Sequence, residues 1–295
     1  MAIIDTPHFQ RLRGCRQLGT AFAVYPSATH SRFEHSLGVA HLAETLCRNL
    51  KEHRMPDGAQ PPSEHDILCV KVAALCHDLG HGPYSHVFDA SLVPALKDDL
   101  SDEEEKDELA KHTHEQLSCR LLIDLREHIE EFIPKHEKHV KVLKAVDLDF
   151  IEELILGEAA RARSEWRGRG KEKAYLYDVV SNIDSGLDVD KLDYLQRDPH
   201  EVGVQAFDAK RLLQSAQVRM VRRHDGQERP AICYARKAAS EVLEVFRTRF
   251  KMHRECYTHR AVKGYELLLI DYLLAVDKLG GIYPRPRPRT VTGRP

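Results

Sequence analysis

Apolar positions along this chain recur mostly at helical spacing and divide it into a succession of amphipathic and buried helices. A first helix is expected from Thr6 to Leu18. A second is expected from about Ser31 to Arg54. Ser31 suits its N-cap, Glu34 three residues on completes a capping box, and Val39, Leu42 and Leu46 mark an inward face. The segment MPDGAQPPS breaks the pattern, and Ser63 or Asp66 then opens the run ILCVKVAALCHDL. That run has too few polar positions for a solvent face, so it must be buried. It is expected to stop at Gly80 and cannot pass Gly82–Pro83. Further helices are expected around 114–130, 135–157, 174–197 and 207–217. Two long helices should fill 237–280, with a kink near Tyr257. The stretch RRHDGQERPAICYAR reads as a small hairpin turning at Asp225–Gly226. The fold class is therefore all-α, a helical bundle with at most a small β-hairpin. One domain is expected over 1–280, followed by a disordered Pro/Arg-rich tail over 281–295.

Composition changes this picture little. The 295 residues include 42% hydrophobic and 31% charged positions, enough for a sizeable core under a solvated surface. A formal net charge of −2 implies no bulk attraction to nucleic acid or to a membrane. No run of about 18 apolar residues is present, so no membrane span is expected. Seven cysteines without a CxxC pair suggest free thiols in a reducing compartment. Residues 97–111 form an acidic run, read as a solvated helix or loop, and 161–173 form a basic loop.

The candidate chemistry begins at His77–Asp78. Two adjacent polar side chains at the end of a buried helix cost several kcal/mol (about 2–7 for a single unpaired group) unless they are paired or hold a cation. His77, Asp78, His81, His86 and Asp89 crowd into residues 77–89; if the helix ran on, His77 and His81 would share a face. His35 lies on the inward face of the second helix. Asp190 lies in DVDKLDYLQRD beside Leu187, Leu192 and Leu195. Two imidazoles and two carboxylates on inward-facing helices suit iron, manganese or zinc, with positions left for water or a substrate oxygen.

The order His, His–Asp, Asp is embedded in longer stretches: IIDTPHFQRLR, SRFEHSLGVAHLA, ALCHDLGHGPYSHVFD, THEQ, LYDVVSN, GLDVDKLDY, FRTR and YTHRAVKG. With these, the chain resembles the HD domain of the sterile-alpha-motif and HD-domain deoxynucleoside triphosphate triphosphohydrolase family over about residues 3–278. The resemblance implies an HD-domain helical bundle that cleaves a dNTP to deoxynucleoside and inorganic triphosphate. It implies a divalent transition metal (Fe, Zn or Mn) on His35, His77, Asp78 and Asp190, with Mg on the nucleotide phosphates. It implies proton-handling roles for His86, Asp89 and His114, with His114 as general acid toward the leaving 5′-oxygen. Arg32, His81, Lys191 and Arg249 match phosphate contacts, and Gln17, Leu18, Tyr194, Asp198 and Tyr257 match a deoxyribose pocket. Asp5, Gln10, Arg13, Val24, Arg211, Lys237, His259 and Arg260 match regulatory positions that bind GTP or dNTP activators. By the same resemblance the partners are dNTP substrate, nucleotide activators and further copies of the chain in a homodimer or homotetramer, and the placement is intracellular, nucleus or cytoplasm.

Some positions depart from the family pattern. Ala235 stands for an arginine, Glu241 for an asparagine, Thr258 for a glutamine and Leu192 for a tryptophan. Cys233 matches one redox cysteine, while Arg219 stands where its near partner would be. The sequence begins just before Asp5 and ends soon after the long helices, so the sterile-alpha-motif domain and the C-terminal lobe are expected to be missing. The expectation is a complete catalytic set beside a partial regulatory one. Two alternatives stay open at this point. One is a non-catalytic nucleotide-binding HD module, with weak single-stranded nucleic-acid binding through the basic loop and tail. The other is a different HD phosphohydrolase, such as a nucleotidase or cyclic-nucleotide phosphodiesterase.

Overall fold

The computed structural model describes residues 3–98, 103–110, 113–132, 143–157, 167–222 and 226–280. The tail 281–295, the first part of the basic loop (161–166) and residues 135–142 of an expected helix lie outside the described residues. Among those described, helices α1 (Pro7–Gln10), α2 (Arg32–Glu52), α3 (Glu64–Cys76), α4 (Val93–Asp98), α5 (Glu103–Ala110), α6 (His114–Phe132) and α7 (Ala145–Leu156) come first. Then follow α8 (Val189–Glu201), α9 (Lys210–Ser215), strands β1 (Ala216–Arg222) and β2 (Glu228–Tyr234), and helices α10 (Ala239–Met252) and α11 (Arg260–Gly280). The fold is all-α with one antiparallel hairpin, whose register pairs Ala216 with Tyr234 and Arg222 with Glu228.

The helix starts follow local chemistry. The Ser31 amide donates to Glu34 and fixes the first turn of α2. In α3 Ser63 is the N-cap, accepting from the Asp66 amide at 3.1 Å, while Asp66 accepts from the Ser63 amide at 2.9 Å. Helix α3 is buried nearly all round, and α2 and α7 pack against it; α8 packs on α2. Val39, Ala43, Leu46 and Leu50 of α2, Val70, Ala73 and Ala74 of α3, Leu154 of α7, and Leu192 and Leu195 of α8 belong to one continuous core. The acidic run forms α5, which buries Leu109 against Leu92, Val93 and Leu96.

Three expected elements come out differently. The expected helix over Thr6–Leu18 is only α1 plus a 3-10 turn over Arg11–Gly14. Backbone bonds tie the residues after Gly14 to the entry of α2 instead: Gln17 donates to the His30 carbonyl at 3.0 Å and Arg32 to the Cys15 carbonyl at 2.8 Å. The apolar run ends as α-helix at Cys76, before Gly80, because the chain turns at 77–80. The expected helix over 174–197 is a 3-10 segment (Lys171–Asp178) and α8, separated by a turn. In that turn Asn182 accepts from the Ser185 amide at 3.1 Å, Gly186 takes a φ of +64°, and Asp188 caps α8. The kink near Tyr257 is present as a π-helical stretch, His253–Tyr257.

Candidate metal centre and adjoining cavity

Three helix ends converge on one point. His35 sits in the first turn of α2 and is 1% exposed, His77 and Asp78 occupy the turn leaving α3, and Asp190 lies in the first turn of α8. His35 Nε2 lies 3.0 Å from Asp190 Oδ1 and 3.5 Å from Asp78 Oδ2. His77 Nε2 lies 3.4 Å from Asp78 Oδ1 and 3.5 Å from Asp190 Oδ1. Ligands about 2.0–2.1 Å from one ion stand roughly 3.0–3.4 Å apart in octahedral or tetrahedral geometry. His35, His77 and Asp78 therefore form one cluster of donor atoms, all within 4.8 Å of one another, and Asp190 adjoins it through the two imidazoles.

The orientation of each ring agrees. His77 Nδ1 bonds the Ala74 carbonyl at 2.8 Å, which turns Nε2 inward, where it is buried with no hydrogen-bond partner. His35 Nδ1 bonds Asp193 Oδ2 at 2.8 Å, which turns its Nε2 to the same point. An orphaned buried nitrogen beside two carboxylates is the mark of a cation site, and these residues fit one.

Electrostatics gives a pH prediction. Burial disfavours the charged form of His35, but hydrogen bonds to Asp190 and Asp193 outweigh it and raise its pKa to about 10. His77 is also raised: burial opposes its charge, and Asp78 and Asp190 overcome it. A metal must displace these protons. Because the His35 value lies above neutrality, its proton is present at pH 7 and must leave on binding. Apparent metal affinity is therefore expected to rise about tenfold per pH unit for each proton released, between pH 6 and 9. Chelator-competition titrations at several pH values check this; a pH-independent affinity contradicts it.

A second group adjoins the first. Asp78, held well below the usual carboxylate range because Arg32, His77 and His81 overcome the effect of burial, donates no proton here and instead anchors its neighbours. It accepts from Arg32 Nη1 and lies 3.3 Å from His81 Nε2. Arg32 Nε also donates to Ser85 Oγ at 2.8 Å. Asp89 lies 2.8 Å from His81 Nδ1 and 3.3 Å from His114 Nδ1, and the His81 and His114 rings stack with centroids 4.0 Å apart. Burial works against the charged form of His114, yet the hydrogen bond to Asp89 leaves its pKa raised. His86 is exposed at the cavity, and partial desolvation there together with the Arg32 charge pushes its pKa down to about 4.

These groups face a cavity of about 470 Å³. Of the residues singled out from the sequence, Gln17, Leu18, Arg32, His77, Asp78, His81, His86, His114, Asp190, Tyr194, Asp198, Arg249 and Tyr257 line it. His35 lies behind the wall, and Asp89 acts through the histidines it bonds. Lys191 does not line the cavity: it sits in the first turn of α8, and its Nζ reaches back to the preceding turn and donates to the Gly186 carbonyl at 2.5 Å. His77 and His81 do not share a helical face, since α3 ends at Cys76; His81 belongs to the second group.

The residues matched to regulatory positions lie elsewhere. Gln10 donates to the Ile4 carbonyl at 2.8 Å and accepts from Arg13 at 2.7 Å, and Arg13 covers the Phe33 ring. Asp5, Lys237 and Arg260 are exposed, Val24 packs against the core, and His259 meets the Tyr25 ring edge-on. Arg211 is paired with Glu241 at 3.0 Å. Ala235 is half-buried.

Several positioning residues escape a reading of sequence alone. Arg11 donates to the Leu79 and His81 carbonyls at 2.5 and 2.9 Å and so ties down the turn that carries His77–Asp78. Ser118 donates to the His77 carbonyl at 2.7 Å and accepts from the Gly80 amide at 2.8 Å. Tyr84 and Ser85 both take positive φ (62° and 54°) on the cavity wall, a strained conformation placed where Ser85 can meet Arg32. A further cluster, His65, Cys69 and Asp147, is spaced like metal donors, but Arg169 already fills it, 2.7 Å from Asp147 and 2.6 Å from Asp66.

A helical fold with paired histidines and aspartates on converging helix ends defines a class, and the comparison with known families agrees. Residues 32–209 match the HD domain model, and the chain belongs to the HD domain family. This family binds divalent metals, and the His/Asp cluster provides the donors for one here. Among individual proteins, the chain is 40% identical over 285 residues to the deoxynucleoside triphosphate triphosphohydrolase SAMHD1 of Bos taurus, covering 94% of this chain and 45% of that protein. The Homo sapiens protein of the same name is 40% identical, with 93% and 42% covered, and the Dictyostelium discoideum SAMHD1 homolog is 35% identical, with 94% and 46% covered. The chain thus spans less than half the length of these relatives. No helix among the described residues is long and apolar enough to cross a membrane.

Proposed function

We propose that this chain hydrolyses deoxynucleoside triphosphates to deoxynucleoside and inorganic triphosphate, the activity named in its relatives. The observation that carries this reading is Arg32. Its guanidinium is 3% exposed in the cavity wall, fixed by Asp78 and Ser85, and its Nη2 is buried without a partner. A buried, fixed cation with a vacant donor suits a phosphate oxygen. Arg249 adds a second guanidinium on the same wall.

The chemistry is transfer of the α-phosphoryl group to water. The water oxygen bonds to the α-phosphorus, the bond from that phosphorus to O5′ breaks, and O5′ takes a proton. His114, whose pKa the neighbouring Asp89 raises, is the group that gives it. His35, His77, Asp78 and Asp190 would hold a divalent ion, which would supply Lewis acidity toward a phosphoryl oxygen and lower the pKa of a water. The mixed nitrogen and oxygen donors suit Fe, Zn or Mn, with Mg accompanying the free triphosphate.

Sugar selection follows from a rigid wall. Tyr257 donates to Asp198 at 2.7 Å, and Asp198 in turn holds His30 at 2.8 Å. The Tyr194 and Tyr257 rings stand 6.5 Å apart, and Leu18 and Gln17 complete that end. With the sugar seated against this braced aromatic wall, a 2′-hydroxyl would be the group it excludes. Activation by GTP or dNTP, and assembly into a homodimer or homotetramer, belong to the same proposal as its regulatory half. The Arg211–Glu241 ion pair occupies one of the cations that half would use.

The test compares each dNTP with its ribonucleotide, using protein loaded in turn with Mn²⁺, Fe²⁺ or Zn²⁺. Hydrolysis of dNTPs well above that of NTPs is expected. Metal-loaded protein that turns over no dNTP, with or without GTP, overturns the proposal.

A further inference from the structure

Asp193 has no role in anything described so far beyond its contact with His35. It lies three residues after Asp190, on the same face of α8, and is 6% exposed. Its Oδ2 bonds His35 Nδ1 at 2.8 Å. Arg197, one turn further along, grips both of its oxygens, Nε to Oδ2 at 2.8 Å and Nη2 to Oδ1 at 2.9 Å. The pair is seated on Gly38. A Cβ on that residue would stand 1.9 Å from Asp193 Oδ1 and 2.4 Å from Arg197 Nη2. Gly38 is three residues after His35, so one face of α2 presents the imidazole and the bare backbone that admits its partner.

We infer that Asp193, braced by Arg197 against Gly38, is the positioning residue of the metal centre. It holds the proton on His35 Nδ1 and fixes the ring so that Nε2 faces the point it shares with Asp78 and Asp190, where its lone pair would meet a metal ion. An ordinary i,i+4 Asp–Arg pair on a helix surface contributes little and needs no particular neighbour. This one has a buried carboxylate under a half-buried guanidinium, shares an oxygen with a histidine and requires a glycine opposite. The two imidazoles are thus supported unequally: His77 by a neutral carbonyl, His35 by a braced carboxylate. A carboxylate behind a ligating histidine raises its basicity and removes its rotational freedom, and losing such a partner weakens metal affinity by about 10–100-fold.

The inference rests on His35 being a metal ligand, not on the identity of the substrate. Its test therefore reads metal and not turnover. Co²⁺ and Zn²⁺ affinities of the full chain are measured by chelator competition for wild type, Asp193→Ala and Asp193→Asn, with far-UV circular dichroism to establish the folded fraction. Asp193→Ala is expected to bind about 10–100-fold more weakly. Asp193→Asn keeps the shape and an acceptor oxygen, so an intermediate loss and a shifted Co²⁺ visible spectrum are expected. Should Asp193→Ala fail to fold, the isosteric Asn variant decides alone. Glu44→Ala, which breaks ion pairs with Arg48 and Lys71 remote from the centre, is expected to leave affinity unchanged. A merely structural Asp193 would lower the melting temperature and leave the affinity of the folded protein unchanged, and that result overturns the inference. Wild type that binds no metal overturns the ligand assignment together with it.

Discussion

Gly80→Ala is expected to reduce dNTP turnover by about 100-fold or more while leaving most of the metal affinity in place. The added Cβ would stand 2.1 Å from the His114 carbonyl oxygen and 2.5 Å from the Ser118 amide nitrogen. Both are backbone atoms of α6 and cannot rotate away. The helix must lift, which breaks the bonds from Ser118 to the Gly80 amide and the His77 carbonyl. His114 would move off Asp89 and His81, and a displacement of about 1 Å at a reacting group costs on the order of 10²-fold. Overpacking typically costs about 1–3 kcal/mol, and a clash with backbone belongs at the upper end. Arg11 still holds the turn at the Leu79 and His81 carbonyls, and His35 and Asp190 are held from α2 and α8, so metal binding should fall less than turnover. Urea unfolding, metal titration and turnover on the same sample check this; wild-type turnover contradicts it.

Substituting alanine for both His77 and Asp78 is expected to abolish metal binding and activity. It removes two of four donors, and it removes the carboxylate that compensates Arg32. Arg32 would then be a buried cation with no ion-pair partner, a loss of about 3–5 kcal/mol. Helicity should persist, because α2 and α3 are complete without the turn, but the unfolding midpoint should drop. Metal analysis after dialysis, with circular dichroism and a urea titration, separates the effects. Stoichiometric metal in the double variant would show that the ion is held elsewhere.

Much of this was legible in the sequence, for reasons specific to each part. Ser31–Glu34 and Ser63–Asp66 announce α2 and α3 because a capping box is local chemistry. The proposed donors His35, His77, Asp78 and Asp190 stand out in the sequence because each sits at an otherwise apolar position or helix end, where a polar side chain needs a reason. Long-range features could not. The segment after Gly14 looks helical but takes its backbone partners from His30 and Cys15 across the chain. The turn at 77–80 is held by Arg11 and Ser118, about 70 and 40 residues away in sequence, so periodicity alone carried the helix too far. Lys191 is directed away from the cavity by the turn at Gly186, whose position depends on Asn182 and Asp188. Asp193 looked like one more charge on an amphipathic helix; only the approach of α2 to α8 over Gly38 gives it a function.

The most direct measurement is the phosphorus product. Metal-loaded protein is incubated with dGTP or dATP, with GTP present, and the products are resolved by ion chromatography and ³¹P NMR. Cleavage between the α-phosphorus and O5′ yields inorganic triphosphate and deoxynucleoside in equal amounts, and that is the expected result. Pyrophosphate with deoxynucleoside monophosphate, or orthophosphate with the diphosphate, would place the cut elsewhere in the chain of phosphates and contradict it.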